Sequence, residues 1–204
     1  MTKVSGNTKQ NTKKLRFTLL SAFFNYIKNS IDPDLKNPCG TLTLRRLFRA
    51  EQNVQFKILE KDVVDEIIFR TENQRNRIML ELMARGCMRI GEVLNLIPME
   101  IEDRKVIVRS PKSGKSSEAV FLPQKVIGRM EKYIRDKRIE PDNKIFPISY
   151  AGARLVVKKA GELINIQIRP HDLRRHAATY ASRSGTPLEI VSKILLRHSN
   201  LATI

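Results

Sequence analysis

The sequence predicts a mainly α-helical protein carrying one small three-stranded antiparallel β-sheet, an α+β arrangement. Three observations lead there. Apolar residues recur at helical spacing along most of the chain, and one central stretch switches to a period of two. Turn and capping residues stand at the junctions between these stretches. With 204 residues, 41% hydrophobic and 29% charged, the chain suffices for one well-buried domain with an appendage, or for two small domains.

The first element runs from Lys14 to Ser30. Leu15, Leu19, Phe23 and Ile27 fall on one face, with Phe17, Leu20 and Phe24 beside them, the pattern of an amphipathic helix. "DPDLKNPCG", Asp32 to Gly40, is turn chemistry and ends it. The stretch from Thr41 to Lys57 has no clean period and carries Arg45, Arg46 and Arg49; it reads as a linker lying close to a polyanion. Helices are expected over 60–70 and 72–85, the second opened by a capping box of Thr71 and Gln74 and closed by Gly86. A short helix follows over 90–96.

The period then becomes two. "MEIED", "KVIVRS" and "EAVFLP" read as three strands, with "PKSGKS" as the turn between the last two. Helices resume over 124–138, 149–163, 171–184 and 187–196. For the last, Thr186, Pro187 and Glu189 are read as N-cap, first-turn proline and capping-box acid.

The charge balance names the class of partner. Lys and Arg total 38 against 21 acidic residues, a net charge of +17, which points to a polyanion. Nucleic acid is the usual one, with an anionic membrane surface or a ribosome as competitors. The excess is spread along the chain, with 11 basic against 4 acidic residues up to Glu60 and 27 against 17 beyond. A spread excess suits a broad contact surface better than a detachable basic tail. Two cysteines, Cys39 and Cys87, make no disulfide framework, so a reducing cytoplasm is expected. The apolar part of the N-terminal segment is broken by Asn25 and Lys28, which argues against a signal peptide, and no stretch reaches the roughly 20 apolar residues of a membrane span.

Candidate chemistry gathers at a few places. His171 and Arg174 share one face of a helix that opens at Pro170, where free N–H groups favour a phosphate. Arg89 follows the helix closed by Gly86. Lys112 sits at a hairpin tip, and His198 lies just past the last helix. Singly, each has a plainer role: Arg89 as an ion-pair partner of Glu92, Lys112 as a solvated turn lysine, His198 as a cation on a helix C-terminus. "SGKSS" resembles the end of a phosphate-binding P-loop, but Arg109 stands where that motif needs glycine and a strand follows instead of a helix. "HDLRRH" with two distant cysteines matches no zinc spacing, so no metal and no cofactor is expected.

Taken in order, these residues resemble the catalytic domain of the tyrosine recombinases, the phage integrase family. That family reads G-x-R-x-x-E-x-x-x-L, then K-x-G-K on a hairpin, H-x-L-R, L-G-H, and finally a tyrosine. The counterparts here are Gly86 to Leu96 (with one extra residue before Arg89), Lys112 to Lys115, His171 to Arg174, and Leu196 to His198, so the resemblance covers about residues 58–204. It implies a catalytic set of Arg89, Lys112, His171, Arg174 and His198, with Lys115 the alternative lysine. Arg45, Arg46, Arg49, Lys115 and Arg175 are the expected DNA-contacting cations. It also implies double-stranded DNA as partner and covalent capture of a phosphate on tyrosine, with neither ATP nor metal.

Two departures from the family stand out. Tyr26, Tyr133, Tyr150 and Tyr180 are the only tyrosines, and none follows the L-G-H histidine; Arg197 replaces the glycine before that histidine. The expected organisation is 1–40 as a remnant of a helical core-binding domain, 41–57 as linker, and 58–204 as a catalytic domain cut before its nucleophile. The parent protein is expected to be tetrameric on DNA and this chain monomeric. A non-catalytic DNA-binding remnant or regulator of recombination sites is the alternative.

Overall fold

The computed structural model describes residues 8–49, 58–109 and 117–197. The chain divides into two compact units, residues 1–56 and 57–204.

In the first unit α1 spans Gln10–Ser30 and α2 spans Leu42–Leu47. The expected helix is present and starts earlier than its apolar pattern. It buries none of its residues, and Leu15, Leu19 and Phe23 stay exposed. Phe17 stacks on Phe48 with ring centroids 4.8 Å apart, and the Asn37 amide donates to the Asn25 side-chain oxygen at 2.7 Å. The stretch read as a linker contains α2. This six-residue helix is started by Thr41, whose hydroxyl accepts from the Leu44 N–H, and is too short to show a period.

The second unit is built around α4, Gln74–Arg85, in which every residue from Ile78 to Ala84 is buried. A helix buried all round is the centre of a core, here enclosed by α3 (Lys61–Arg70), α6 (Gln124–Lys137) and α8 (Pro170–Arg183). Glu81, facing this core, is held by Arg129 of α6, whose Nε donates to it at 2.9 Å. The N-cap of α4 is Asn73, whose side chain accepts from the Asn76 N–H at 3.1 Å, not Thr71. The Thr71 hydroxyl instead donates back to the Ile67 carbonyl at 2.8 Å and finishes α3. Gly86 closes α4 as expected, for a reason of space. A Cβ there would fall on Leu122 Cδ2 and lie 2.8 Å from the Leu82 carbonyl oxygen. The left-handed residue of this turn is Cys87, at φ 53°.

The short helix α5 covers Ile90–Asn95. A 3₁₀ turn over Pro98–Glu100 replaces the start of the first expected strand, leaving β1 as Ile101–Glu102. Strands β2 (Lys105–Arg109) and β3 (Ser117–Phe121) pair antiparallel from Lys105 opposite Phe121 to Arg109 opposite Ser117, and the sheet order is β1-β2-β3. Val106, Val108 and Val120 enter the core. Glu118 shares the inward face of β3 with Val120 and needs a buried cation.

Helix α7 runs Tyr150–Glu162 from an N-cap at Ser149. The last helix differs most from expectation. Pro187 is the N-cap, so Thr186 is not, and α9 covers only Leu188–Ile190 before a π-turn over Val191–Leu195. Its closing hydrogen bond runs from the Leu196 N–H to the Val191 carbonyl at 2.8 Å. Among the described residues no helix is long and apolar enough to cross a membrane.

Candidate functional site

Two helix starts are built by one device. Arg89 is the N-cap of α5, and three residues on Glu92 accepts from its backbone N–H at 2.8 Å. Arg169 is the N-cap of α8, where Asp172 accepts from its N–H at 2.9 Å. The acid at the third helical position thus fixes where each helix begins, which explains the R-x-x-E spacing by local geometry. His171 falls in the first turn of α8 and Arg174 one turn further.

Residues from both starts line one cavity of about 730 Å³: Arg89, Ile90 and Gly91 from α5, and Arg169, Pro170 and His171 from α8, with Arg174 behind them. Tyr150 at the start of α7, Arg154 one turn on, and Arg109 at the end of β2 complete the basic lining. Helix N-termini carry partial positive charge and unpaired N–H groups. Arg89, Arg109, Arg154, Arg169 and Arg174 add full charges, and Glu92 is the sole carboxylate residue among the described residues of the lining. Such a cavity is suited to an anion.

Arg174 is only 3% exposed, and its outer edge is spent on main-chain carbonyls. Nη1 donates to the Cys87 oxygen and Nη2 to the Leu196 oxygen. The left-handed turn at Cys87 belongs to the same anchor, for the Cys87 thiol also lies 3.5 Å from the Arg174 carbonyl. Burial pushes that thiol up to about 11, which keeps it protonated. Burial first, and Arg89 next, draw the Arg174 guanidinium down to about 10, still charged at neutral pH. Arg89 Nη1 pairs with Glu92 Oε1 at 2.7 Å, and Nη2 reaches the Leu196 oxygen at 3.4 Å. The plainer reading of Arg89 as a partner of Glu92 is therefore correct and incomplete, since Arg89 also lines the cavity. His171 is exposed, and burial of its ring, then Arg174 and Arg175, lower its pKa, so the neutral imidazole is favoured.

The structure thus brings Arg89, His171 and Arg174 together. Lys112, Lys115 and His198 lie outside the described residues. Arg175 pairs with Asp172 at 3.1 Å on α8. Arg45, Arg46 and Arg49 are exposed on the first unit, on α2 and just after it. His176 turns away from the cavity, its Nδ1 2.7 Å from the Leu59 carbonyl oxygen. Reading the sequence did not single out Arg109, Arg154 or Arg169 as ligand groups, nor Tyr150. The one local signal was Arg169 directly before Pro170, an N-cap position. Among the described residues no group of three or more His, Cys, Asp or Glu is placed to hold a metal.

A helical domain with a three-stranded sheet, whose guanidinium groups converge on a cavity at two helix starts, defines the class as an anion-handling α+β domain. The chain belongs to the phage integrase family, whose model matches residues 57–204. It is similar to tyrosine recombinase XerA of Pyrococcus horikoshii, 28% identical over 160 residues, and spans 54% of that protein's length and 72% of its own. A tyrosine recombinase of Pseudothermotoga lettingae is 27% identical over 205 residues, covering 96% of this chain and 70% of that one. In fold it is similar to XerH site-specific recombinase bound to difH substrate, with TM-score 0.73 at 20% identity, over 98% of this chain and 62% of that one. The Tn1549 transposon integrase in complex with transposon right end DNA gives 0.71 at 14% identity, over 98% and 80%.

Proposed function

We propose that this chain is the phosphate-binding, catalytic portion of a site-specific DNA recombinase, whose full-length protein breaks and rejoins double-stranded DNA through a 3′-phosphotyrosine. The observation carrying this reading is the pair Arg89 and Arg174, anchored behind by Glu92 and by the Cys87 and Leu196 carbonyls and lining one basic cavity.

A phosphodiester under in-line attack gathers negative charge on its non-bridging oxygens, and two fixed guanidiniums bind those oxygens without reorganising. The tyrosine oxygen forms a bond to phosphorus as the bond to the 5′ oxygen breaks. That oxygen takes its proton from Lys112, with Lys115 the alternative donor. Neutral His171 shuttles the proton of the attacking phenol, and His198 donates a hydrogen bond to the phosphate. The reverse attack by the 5′ hydroxyl restores the DNA, so the bond energy is conserved. In the family's order the tyrosine follows the histidine whose counterpart here is His198.

On this reading residues 58–204 are the catalytic portion, 41–57 a linker bearing Arg45, Arg46 and Arg49 toward DNA, and 1–40 the end of a core-binding domain. Arg175 and Lys115 add phosphate contacts. The full-length protein works as a tetramer on DNA, and the chain alone is a cytoplasmic monomer. No cofactor takes part.

Orthovanadate, a tetrahedral anion that mimics the reacting phosphorus, tests the pocket. Titration into the 204-residue chain, followed through the His171 ring proton signals, should give saturable binding. Arg174→Ala should weaken it about tenfold or more, the loss of one charge-assisted contact. An unchanged affinity would remove the phosphate pocket and this function with it.

A further inference from the structure

The last described turn holds a second layer beneath the arginine pair. Arg197 has φ 51°, a left-handed backbone that a side chain disfavours, and its guanidinium is buried with 3% of the side chain exposed. Nη2 donates to Glu92 Oε2, and Nε lies 3.1 Å from Glu118 Oε2. The Nε hydrogen is not aligned on that oxygen, so the second contact is a charge pairing without a hydrogen bond. Glu92 belongs to α5, where it also holds Arg89; Glu118 belongs to β3, the strand that returns from the hairpin. One residue earlier, the Leu196 carbonyl receives both Arg89 and Arg174.

We propose that Arg197 is a positioning residue of the anion pocket: its guanidinium locks the Leu196–Arg197 turn onto α5 and β3, and so holds the Leu196 carbonyl where it orients Arg89 and Arg174. The inference rests on the phosphate-pocket reading above. Burying one guanidinium with two carboxylates is not an economical way to add stability, since each ion gives up its water. The arrangement instead fixes direction. A fork with two donors meets carboxylates on two separate elements, which neither an apolar side chain nor a point charge can do.

The experiment compares two affinities in the full chain, for orthovanadate and for a duplex of random sequence at fixed salt, beside the thermal midpoint. Folded Arg197→Ala should lose about tenfold in orthovanadate affinity, the order of one loosened charge-assisted contact. Its affinity for the random duplex should fall by a smaller factor, because most of that binding rests on the exposed cations. Arg197→Lys, able to meet one carboxylate at a time, should recover part of the loss. Glu118→Gln, which keeps the shape and removes the charge pairing, should weaken orthovanadate binding about two- to threefold. That variant decides the question if Arg197→Ala does not fold. Orthovanadate affinity unchanged in folded Arg197→Ala, or in Glu118→Gln, overturns the positioning role while leaving the pocket standing. An Arg174→Ala variant that binds as well as the parent removes the pocket instead.

Discussion

Arg89 and Glu92 hold each other twice, the backbone N–H of Arg89 donating to one carboxylate oxygen at 2.8 Å and its guanidinium to the other at 2.7 Å. One side chain therefore starts α5 and aims a cavity arginine. Because Arg197 shares the same carboxylate, Glu92→Gln removes the charge that balances two guanidiniums. Breaking a buried pair from one side costs about 3 kcal/mol. Urea unfolding should show that loss with an unchanged denaturant slope, and orthovanadate affinity should fall with it.

His171 supplies a pH test. Its pKa is lowered in the free protein by burial and by Arg174 and Arg175. A bound anion adds negative charge and raises it, so binding takes up a proton. Anion affinity should rise as pH falls through the interval between the raised pKa of the complex and the lowered pKa of the free protein. His171→Gln should flatten that rise. Proton NMR of the three histidines reads both effects. Folding carries the opposite sign: the lowered pKa makes the unfolded chain the better proton acceptor, so this residue's contribution to stability declines as pH falls through the unfolded value.

Arg154 and Arg169 are exposed, line the cavity and form no ion pair among the described residues. Replacing both by alanine should leave the thermal midpoint unchanged, as exposed substitutions usually alter stability by less than about 0.5 kcal/mol. If each meets one backbone phosphate, the slope of log affinity against log salt for duplex DNA should shrink by about 1.8. An unaltered slope would place these two arginines off the DNA.

Gly86→Ala should destabilise the second unit by about 2 kcal/mol, the cost of forcing a methyl into a packed site. The obstacle includes the Leu82 carbonyl oxygen, which cannot swing aside as a side chain does. Thermal unfolding of the variant measures it.

What the sequence revealed followed the range of each signal. Period and caps act over a few residues, so α4, α6, α7 and the β2–β3 pair were legible to within a residue or two. Thr71 and Asn73 are rival caps two residues apart, and only the path of the chain between α3 and α4 decides for Asn73. The six residues of α2 and the π-turn after Ile190 are too short to carry a period. Arg89, His171 and Arg174, which line one cavity, could be grouped from the sequence because motif order stands in for distance. Arg109, Arg154 and Arg169 belong to three separate elements, and the fold alone brings them to one cavity.

The Arg174 fork is anchored to carbonyl oxygens of Cys87 and Leu196, and every amino acid supplies a carbonyl. The two anchoring carbonyls therefore depend first on the path of the main chain and only through it on the side chains there. At 87 that path is a left-handed turn in a buried place, open to glycine, asparagine or another small residue. Mutational drift at both anchors is compatible with an intact site, whereas drift at Arg174 is not. A saturation library scored for anion binding would show one intolerant position flanked by permissive partners, so the residues that aim this arginine would look unimportant to any survey that scores side chains alone.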